Sequence, residues 1–350
     1  MKSKLLQSFA VIMVVSALNV YCAAHTEPIS SPQGIAVLDE IELGGVKQWI
    51  LVRGEDVENP ILLFLHGGPG SPEMATHHAF MTGLESHFVV VHWDQRGAGK
   101  SYHVSIPESS MTIERFIEDA HLLTGHLKER FGRHKIYIMG HSWGSVLGTL
   151  TVDSYPEDYY AYIGIGQVVD LVRNEKISYE YVIKEAEERD KPLAKMHLKM
   201  IGGPPYDNVI ELAIQRQYLQ KFGGGPARSQ ETYNKIYRAG AKAPEYTLLG
   251  HIKMARGTIY STRQMWPELM TVDLLDTVPR IDVPVYFLHG RHDYNTPWEL
   301  CQEYYNKLEA PEGKTLIWFE ESAHSPNLEE PRKFERVLED KVLPETYPGG

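Results

Sequence analysis

The reading of the fold starts from "IYIMGHSWGSVLGTL", residues 136–150. Its first half is a short apolar, partly β-branched run that reads as a buried strand, and its second half has the spacing of a helix. Between them lies Gly140-His141-Ser142-Trp143-Gly144. Glycine two residues to either side of Ser142 implies a turn so tight that a Cβ would collide with the neighbouring strand and helix. Such a turn lifts the serine hydroxyl above the sheet, and the helix N-terminus adds positive potential where negative charge would develop.

A serine hydroxyl is a weak nucleophile without a base. The chain should therefore supply an acid and then a histidine, in that order, at the ends of later strands. "VPVYFLHGRHDYNTP" (283–297) ends a strand with Asp293, and "LIWFEESAHSPNLEEP" (316–331) ends the last strand with His324. In this reading His324 takes the proton from Ser142 and later returns it to the leaving group, while Asp293 orients the ring and stabilises the imidazolium. Activity should then fall on acidification through roughly pH 6 to 7. Glu320, Glu321, Asp273 and Asp276 are rivals for the acid. His289, His292 and Asp293 have the close spacing of a metal cluster, but the sequence offers no further ligands beside them, so neither metal nor cofactor is expected.

"FLHGGPGSP" (64–72) supplies the remaining part. Acyl transfer needs backbone N–H donors aimed at the developing oxyanion. The glycines after His66 free the backbone for close approach to a ligand. One N–H is assigned to Gly68 and the other to Trp143, the residue after the nucleophile.

Along the chain, apolar strands alternate with amphipathic helices, which predicts an α/β fold with a mostly parallel sheet covered on both faces. "IAVLDEIELGG" and "VKQWILVRG" read as an opening antiparallel hairpin. The rhythm breaks once. Residues 174–200, 208–222 and 229–241 read helical, and an insertion of about a hundred residues is a cap rather than a loop. The expected layout is a core of residues 30–166 and 271–350 with a helical cap at 167–270.

The formal charge of −11 argues against a nucleic-acid partner, which needs basic clusters. "MKSKLLQSFAVIMVVSALNVYCAA", residues 1–24, reads as a signal peptide cleaved after Ala24. Its apolar run is short for a membrane span of about 20 residues. Export by secretion or to a periplasm is expected, with a retained membrane anchor or lipidation at Cys22 as alternatives. Cleavage would leave Cys301 alone, read as a half-buried structural thiol with no disulfide partner.

"HGGPG" (66–70), "WDQRGAGKS" (93–101), "GHSWGS" (140–145), "GRHD" (290–293) and "SAHSP" (322–326) together resemble the α/β-hydrolase family and, more narrowly, its proline iminopeptidase group of serine peptidases. The resemblance implies an eight-stranded, mostly parallel sheet with a helical cap after the sixth strand. It also implies site-shaping roles for His66, Gly67, Pro69, Gly70, Asp94, Gln95 and Arg96. From the residues alone, Asp94 and Arg96 read as a structural ion pair. Members of that group carry W-x-x-W-E and E-N-H-Y-F stretches in the cap, whose glutamates hold the substrate's free amino terminus. Here the corresponding stretches are "RQYLQKFGGG" and "GHIKMARGTIYS", and neither motif is present. Glu175, Glu180 and Glu245 are the candidate replacements, against the alternative that they are solvated helix charges.

The resulting expectation is a serine hydrolase working through an acyl-enzyme on Ser142, cleaving the N-terminal residue, proline among others, from short peptides. The same machinery serves small carboxylic esters or lactones, with only the cap pocket differing. A binding protein on a hydrolase scaffold is a third class, opposed by the intact Ser–Asp–His set. An aspartate-nucleophile dehalogenase or epoxide hydrolase is disfavoured by serine at 142.

Overall fold

A computed structural model describes residues 24–206 and 208–348. The stretch read as a signal peptide, Cys22 included and apart from Ala24, lies outside the described residues. Eight strands form one sheet: β1 (Ile35–Leu43), β2 (Val46–Gly54), β3 (Ile61–Leu65), β4 (Val89–Asp94), β5 (Ile136–His141), β6 (Tyr159–Ile165), β7 (Val285–Gly290) and β8 (Lys314–Phe319), in the order β1-β2-β4-β3-β5-β6-β7-β8. Only the β1–β2 and β2–β4 pairings are antiparallel. Gly44 and Gly45, at φ 54° and 76°, make the hairpin turn between β1 and β2, a conformation that residues with a Cβ resist.

The parallel centre is apolar on both faces because side chains alternate along each strand. Leu63 and Leu65 of β3 and Ile138 of β5 join one buried layer, while Leu62, Phe64, Tyr137 and Met139 join the other. Counting helices of seven residues or more, α1 (Ile113–Phe131) and α2 (Trp143–Ser154) cover the first layer through Phe116, Leu123, Val146 and Leu147. α1 begins where Thr112 accepts from the Arg115 N–H and ends at Gly132, φ 62°. α8 (Trp298–Lys307) lies on the same side, and α9 (Pro331–Val337) puts Phe334 into the second layer. Cys301 on α8 is fully buried rather than half-buried, and burial pushes its thiol up, which keeps it unreactive.

Among the described residues, five helices of seven residues or more separate β6 from β7: α3 (Leu171–Glu188), α4 (Pro192–Ile201), α5 (Val209–Phe222), α6 (Gln230–Gly240) and α7 (Leu248–Leu269). The stretch 174–200 is two helices, broken at Asp190 (φ 47°) and restarted by Pro192 at the first turn. α7 is not singled out by its sequence pattern, because Leu248, Leu249 and Ile252 face solvent. Its buried face is Gly257, Ser261, Met265 and Leu269, of which the first two are small. Among the described residues no helix is long and apolar enough to cross a membrane.

Candidate active site

Ser142 sits between β5 and α2 with φ 56° and ψ −121°, a left-handed conformation that costs a residue with a Cβ about 1–3 kcal/mol. The surroundings hold it there. Its N–H donates to the Ile165 carbonyl at 2.9 Å, and its carbonyl accepts from Ser145 N–H (2.8 Å) and Ser145 Oγ (2.6 Å). A Cβ on Gly140 would lie 2.0 Å from the Gly144 carbonyl oxygen, and one on Gly144 would lie 2.0 Å from that of Leu65. Both contacts are with backbone, so neither position can take a side chain without moving a strand or the helix.

The loops after β7 and β8 bring Asp293 and His324 together, with His324 Nδ1 2.8 Å from Asp293 Oδ2. Asp293 also accepts from the N–H groups of Asn295 (2.8 Å) and Thr296 (2.9 Å) and from Thr296 Oγ1 (2.7 Å). Burial alone would raise its carboxyl. The His324 ring, with His289 and the Thr296 N–H, outweighs burial and holds Asp293 below the usual carboxylate range. An ionised Asp293 fixes the His324 proton on Nδ1 and leaves Nε2 as an acceptor. Burial, which outweighs Asp293 and is reinforced by His141, lowers His324 below the ordinary histidine value. Ser142 Oγ makes no hydrogen bond to His324 in this structure; in unliganded sites such bonds are often long and tighten with substrate. His289 is occupied on both sides, by the Thr296 carbonyl (2.9 Å) and the Gln167 N–H (3.3 Å). Among the described residues no group of three histidine, cysteine or acidic side chains could hold a metal. The rival acids lie elsewhere: Glu320 pairs with Arg291, Glu321 and Asp276 are exposed, and Asp273 caps a short helix.

The loop after β3 is tied to the turn that carries Ser142 by Gln95. Its amide donates to the His66 carbonyl at 3.0 Å and accepts from Trp143 Nε1 at 2.9 Å, and its own N–H donates to His66 Nε2 at 3.2 Å. A Cβ on Gly67 would come within 3.0 Å of Ser142 Cβ. The expected Asp94–Arg96 ion pair does not form. Arg96 forks onto Asp119 at 2.9 and 3.0 Å, because α1 presents that carboxylate to the buried guanidinium. Asp94 instead accepts from Tyr246 Oη (2.7 and 2.6 Å) and the Lys100 N–H (2.7 Å), and burial pushes it up to about 6.

Two further stretches complete the walls, and sequence reasoning assigned neither. α7 lays small and polar residues on the glycine loops: Thr258 Oγ1 donates to the Gly70 carbonyl (2.6 Å), Ser261 Oγ to Gly97 (2.9 Å) and Thr262 Oγ1 to Pro69 (3.3 Å). The segment after α5 rests on the loops that carry Asp293 and His324. Gly224 accepts from Tyr294 N–H (3.0 Å), Gly225 from His324 N–H (3.2 Å), and Arg228 N–H donates to Glu329 (2.6 Å). The signals were present, as "GTIYST" within a helix and as the triple glycine of "KFGGGP".

Gly68, Ser142 and Trp143 border one cavity of about 670 Å³, roofed by α3, α5 and α7. The core side and Trp266 make much of its lining apolar, and Glu175, Arg216 and Lys221 add charge. Glu175 is 1% exposed. Its Oε1 accepts from Arg216 Nη2 (2.5 Å) and Asn174 Nδ2 (3.3 Å), whereas its Oε2 is buried without a hydrogen-bond partner. Glu180 is exposed, and Glu245 is buried away from this cavity.

The profile of the alpha/beta hydrolase family matches residues 62–337. The protein named Probable aminopeptidase YbaC of Bacillus subtilis (strain 168) is 36% identical over 310 residues, covering 89% of this chain and 97% of that one. A proline iminopeptidase of Heyndrickxia coagulans is 25% identical over 289 residues, covering 80% and 89%. Among solved structures, a proline iminopeptidase-related protein of Thermus thermophilus superposes with a TM-score of 0.65 at 19% identity, over 90% of this chain and 99% of that one.

Proposed function

The chain belongs to the alpha/beta hydrolase family as a proline iminopeptidase-like hydrolase, and from that premise we propose that it is a serine aminopeptidase releasing the N-terminal residue of short peptides. Ser142 Oγ attacks the first peptide carbonyl while His324 Nε2 takes its proton. The N–H groups of Gly68 and Trp143 hold the oxyanion, and Asp293 stabilises the His324 imidazolium. His324 then gives the proton to the leaving amine, and water, deprotonated by the same ring, releases the acyl group from Ser142.

The observation that carries the aminopeptidase reading is Glu175, which lines the cavity that holds Ser142 and whose Oε2 is buried without a hydrogen-bond partner. An unpaired buried acceptor is costly, and a substrate ammonium is the donor that satisfies it. Glu175 thus takes the role that the absent cap motifs leave open. In this reading residues 167–270 act as the substrate-binding cap. We also propose export, on the strength of residues 1–24, for which N-terminal sequencing of the mature chain is the test.

The functional test compares kcat/KM for a prolyl arylamide, its N-acetyl analogue and p-nitrophenyl acetate, with Ser142→Ala as the blank. Clear preference for the free-amino arylamide supports the reading. Turnover of the ester alone makes the protein an esterase-like hydrolase and refutes it.

A further inference from the structure

His141, the residue before Ser142, is 6% exposed, and both of its ring nitrogens meet acceptors. Nδ1 lies 2.6 Å from Glu73 Oε1, and Nε2 lies 2.9 Å from the backbone carbonyl of His324. A carbonyl can only accept. Glu73 is itself surrounded by donors, since its Oε1 also takes the Gly67 N–H (3.3 Å) and its Oε2 takes Asn327 Nδ2 (3.4 Å). Burial would raise the Glu73 carboxyl, but the His141 and His66 rings and the Gly67 N–H hold it below the usual carboxylate range, so it accepts rather than donates. With two acceptors and no donor facing the ring, both nitrogens of His141 carry protons. The ring is an imidazolium, buried beside the His324 ring with 4.7 Å between centroids.

We propose that Glu73 and His141 are a positioning pair for the acid–base loop: Glu73 holds His141 as a permanent cation, which anchors the His324 backbone and keeps the His324 ring neutral. The inference rests on the reading of His324 as the general base.

The connectivity explains the anchoring. Through three hydrogen bonds the pair joins the loop after β3 at Gly67, the nucleophile turn at His141 and the loop after β8 at His324. These are the parts whose relative placement an acyl transfer needs fixed. The charge explains the second effect. A cation a few ångströms from His324 in a buried site disfavours a second cation there. The other groups acting on His324 are Asp293 and His289 from β7 and its loop and Glu73 from the loop after β3. Asp293 and Glu73 favour the charged ring, so they oppose His141; His289 is neutral through burial. Glu329 and Arg216 interact with Asp293, and His66, which burial lowers to about 4, interacts with Glu73 and with His141. Burial pushes His141 down, but Glu73 outweighs it and holds the ring above the ordinary histidine range.

Two readouts test this. In protein labelled with ¹⁵N in its histidine rings, the signal missing from His141→Gln identifies His141. It should show two protonated nitrogens at pH 8 in the wild type and a neutral ring in Glu73→Gln. Glutamine preserves the shape, and its amide can donate to Nδ1 of the neutral ring while Nε2–H keeps the His324 carbonyl. In kinetics, the acid limb of kcat/KM should move upward by about one pH unit in His141→Gln, a loss that approaches about tenfold relative to wild type at pH values below both limbs, and by less in Glu73→Gln, which removes the opposing Glu73 charge together with the His141 cation. A neutral His141 in the wild type at pH 7 overturns the proposal. So does a protonated His141 whose loss leaves the acid limb where it was. Should Glu73→Gln not fold, the wild-type spectrum and His141→Gln decide. Full activity in His324→Ala would refute the base assignment instead, which the NMR state of His141 does not share.

Discussion

Replacing Glu175 with glutamine separates substrate recognition from catalysis. Glutamine Oε1 can still accept from Arg216 Nη2, and Arg216 Nη1 keeps its 2.5 Å bond to Gln215 Oε1, so the guanidinium is not left bare. What disappears is the negative charge and the free acceptor at Oε2. A hydrogen bond to a charged group is worth about 1.5–3 kcal/mol, which corresponds to about a 10- to 150-fold loss in kcat/KM. The loss should fall on substrates with a free amino terminus. An N-acetylated arylamide or p-nitrophenyl acetate offers no ammonium and should change by less than about threefold. The assay is kcat/KM for the three substrates on wild type and Glu175→Gln, with the fold checked by circular dichroism. Equal losses on the free and acetylated substrates would refute the argument, because they would mean that Glu175 only braces α3 against α5.

Ser142→Ala should lower kcat by about 10⁴-fold or more while leaving the melting temperature near that of wild type, measured on whichever substrate proves best. Because burial keeps His324 low, the acid limb of kcat/KM should lie below the ordinary histidine value of about 6.5, with activity lost as the pH falls and not as it rises; a limb at or above 7 contradicts this. Asp119→Ala strands the buried Arg96 guanidinium and should cost about 3–5 kcal/mol in urea unfolding, far more than a surface ion pair. Asp94 is raised to about 6, so its contribution to stability is full below about 3.8 and lost as the pH rises through 6. The stability advantage of wild type over Asp94→Asn should therefore shrink between pH 5 and pH 7.5, and an advantage that grows would exclude a raised Asp94.

The core and the turn that carries Ser142 were legible because each is imposed by local chemistry. Gly140 and Gly144 flank Ser142 because any side chain there meets backbone, and buried strands such as Ile61–Leu65 have no polar face to obscure them. Asp293 and His324 follow from strand ends in a required order. Less legible were the contacts that depend on which helix arrives where. Arg96 finds Asp119 rather than Asp94 because α1 crosses beneath it, which residue spacing within "WDQRG" cannot reveal. α7 was obscure because half of its packing face is glycine and serine, Gly257 and Ser261, which close approach demands and hydropathy does not register. His141 looked like the variable residue of a motif. Its significance arises only when the fold brings Glu73 and the His324 carbonyl to its two nitrogens.

The central claim is that Ser142 is a nucleophile activated by His324 and Asp293. Its most direct test is intact-mass spectrometry of the purified chain after a fluorophosphonate probe, followed by peptide mapping. The account predicts one adduct per chain on Ser142, formed far more slowly in His324→Ala and absent in Ser142→Ala. A wild-type chain that stays unlabelled, or one labelled at a different residue, would contradict it.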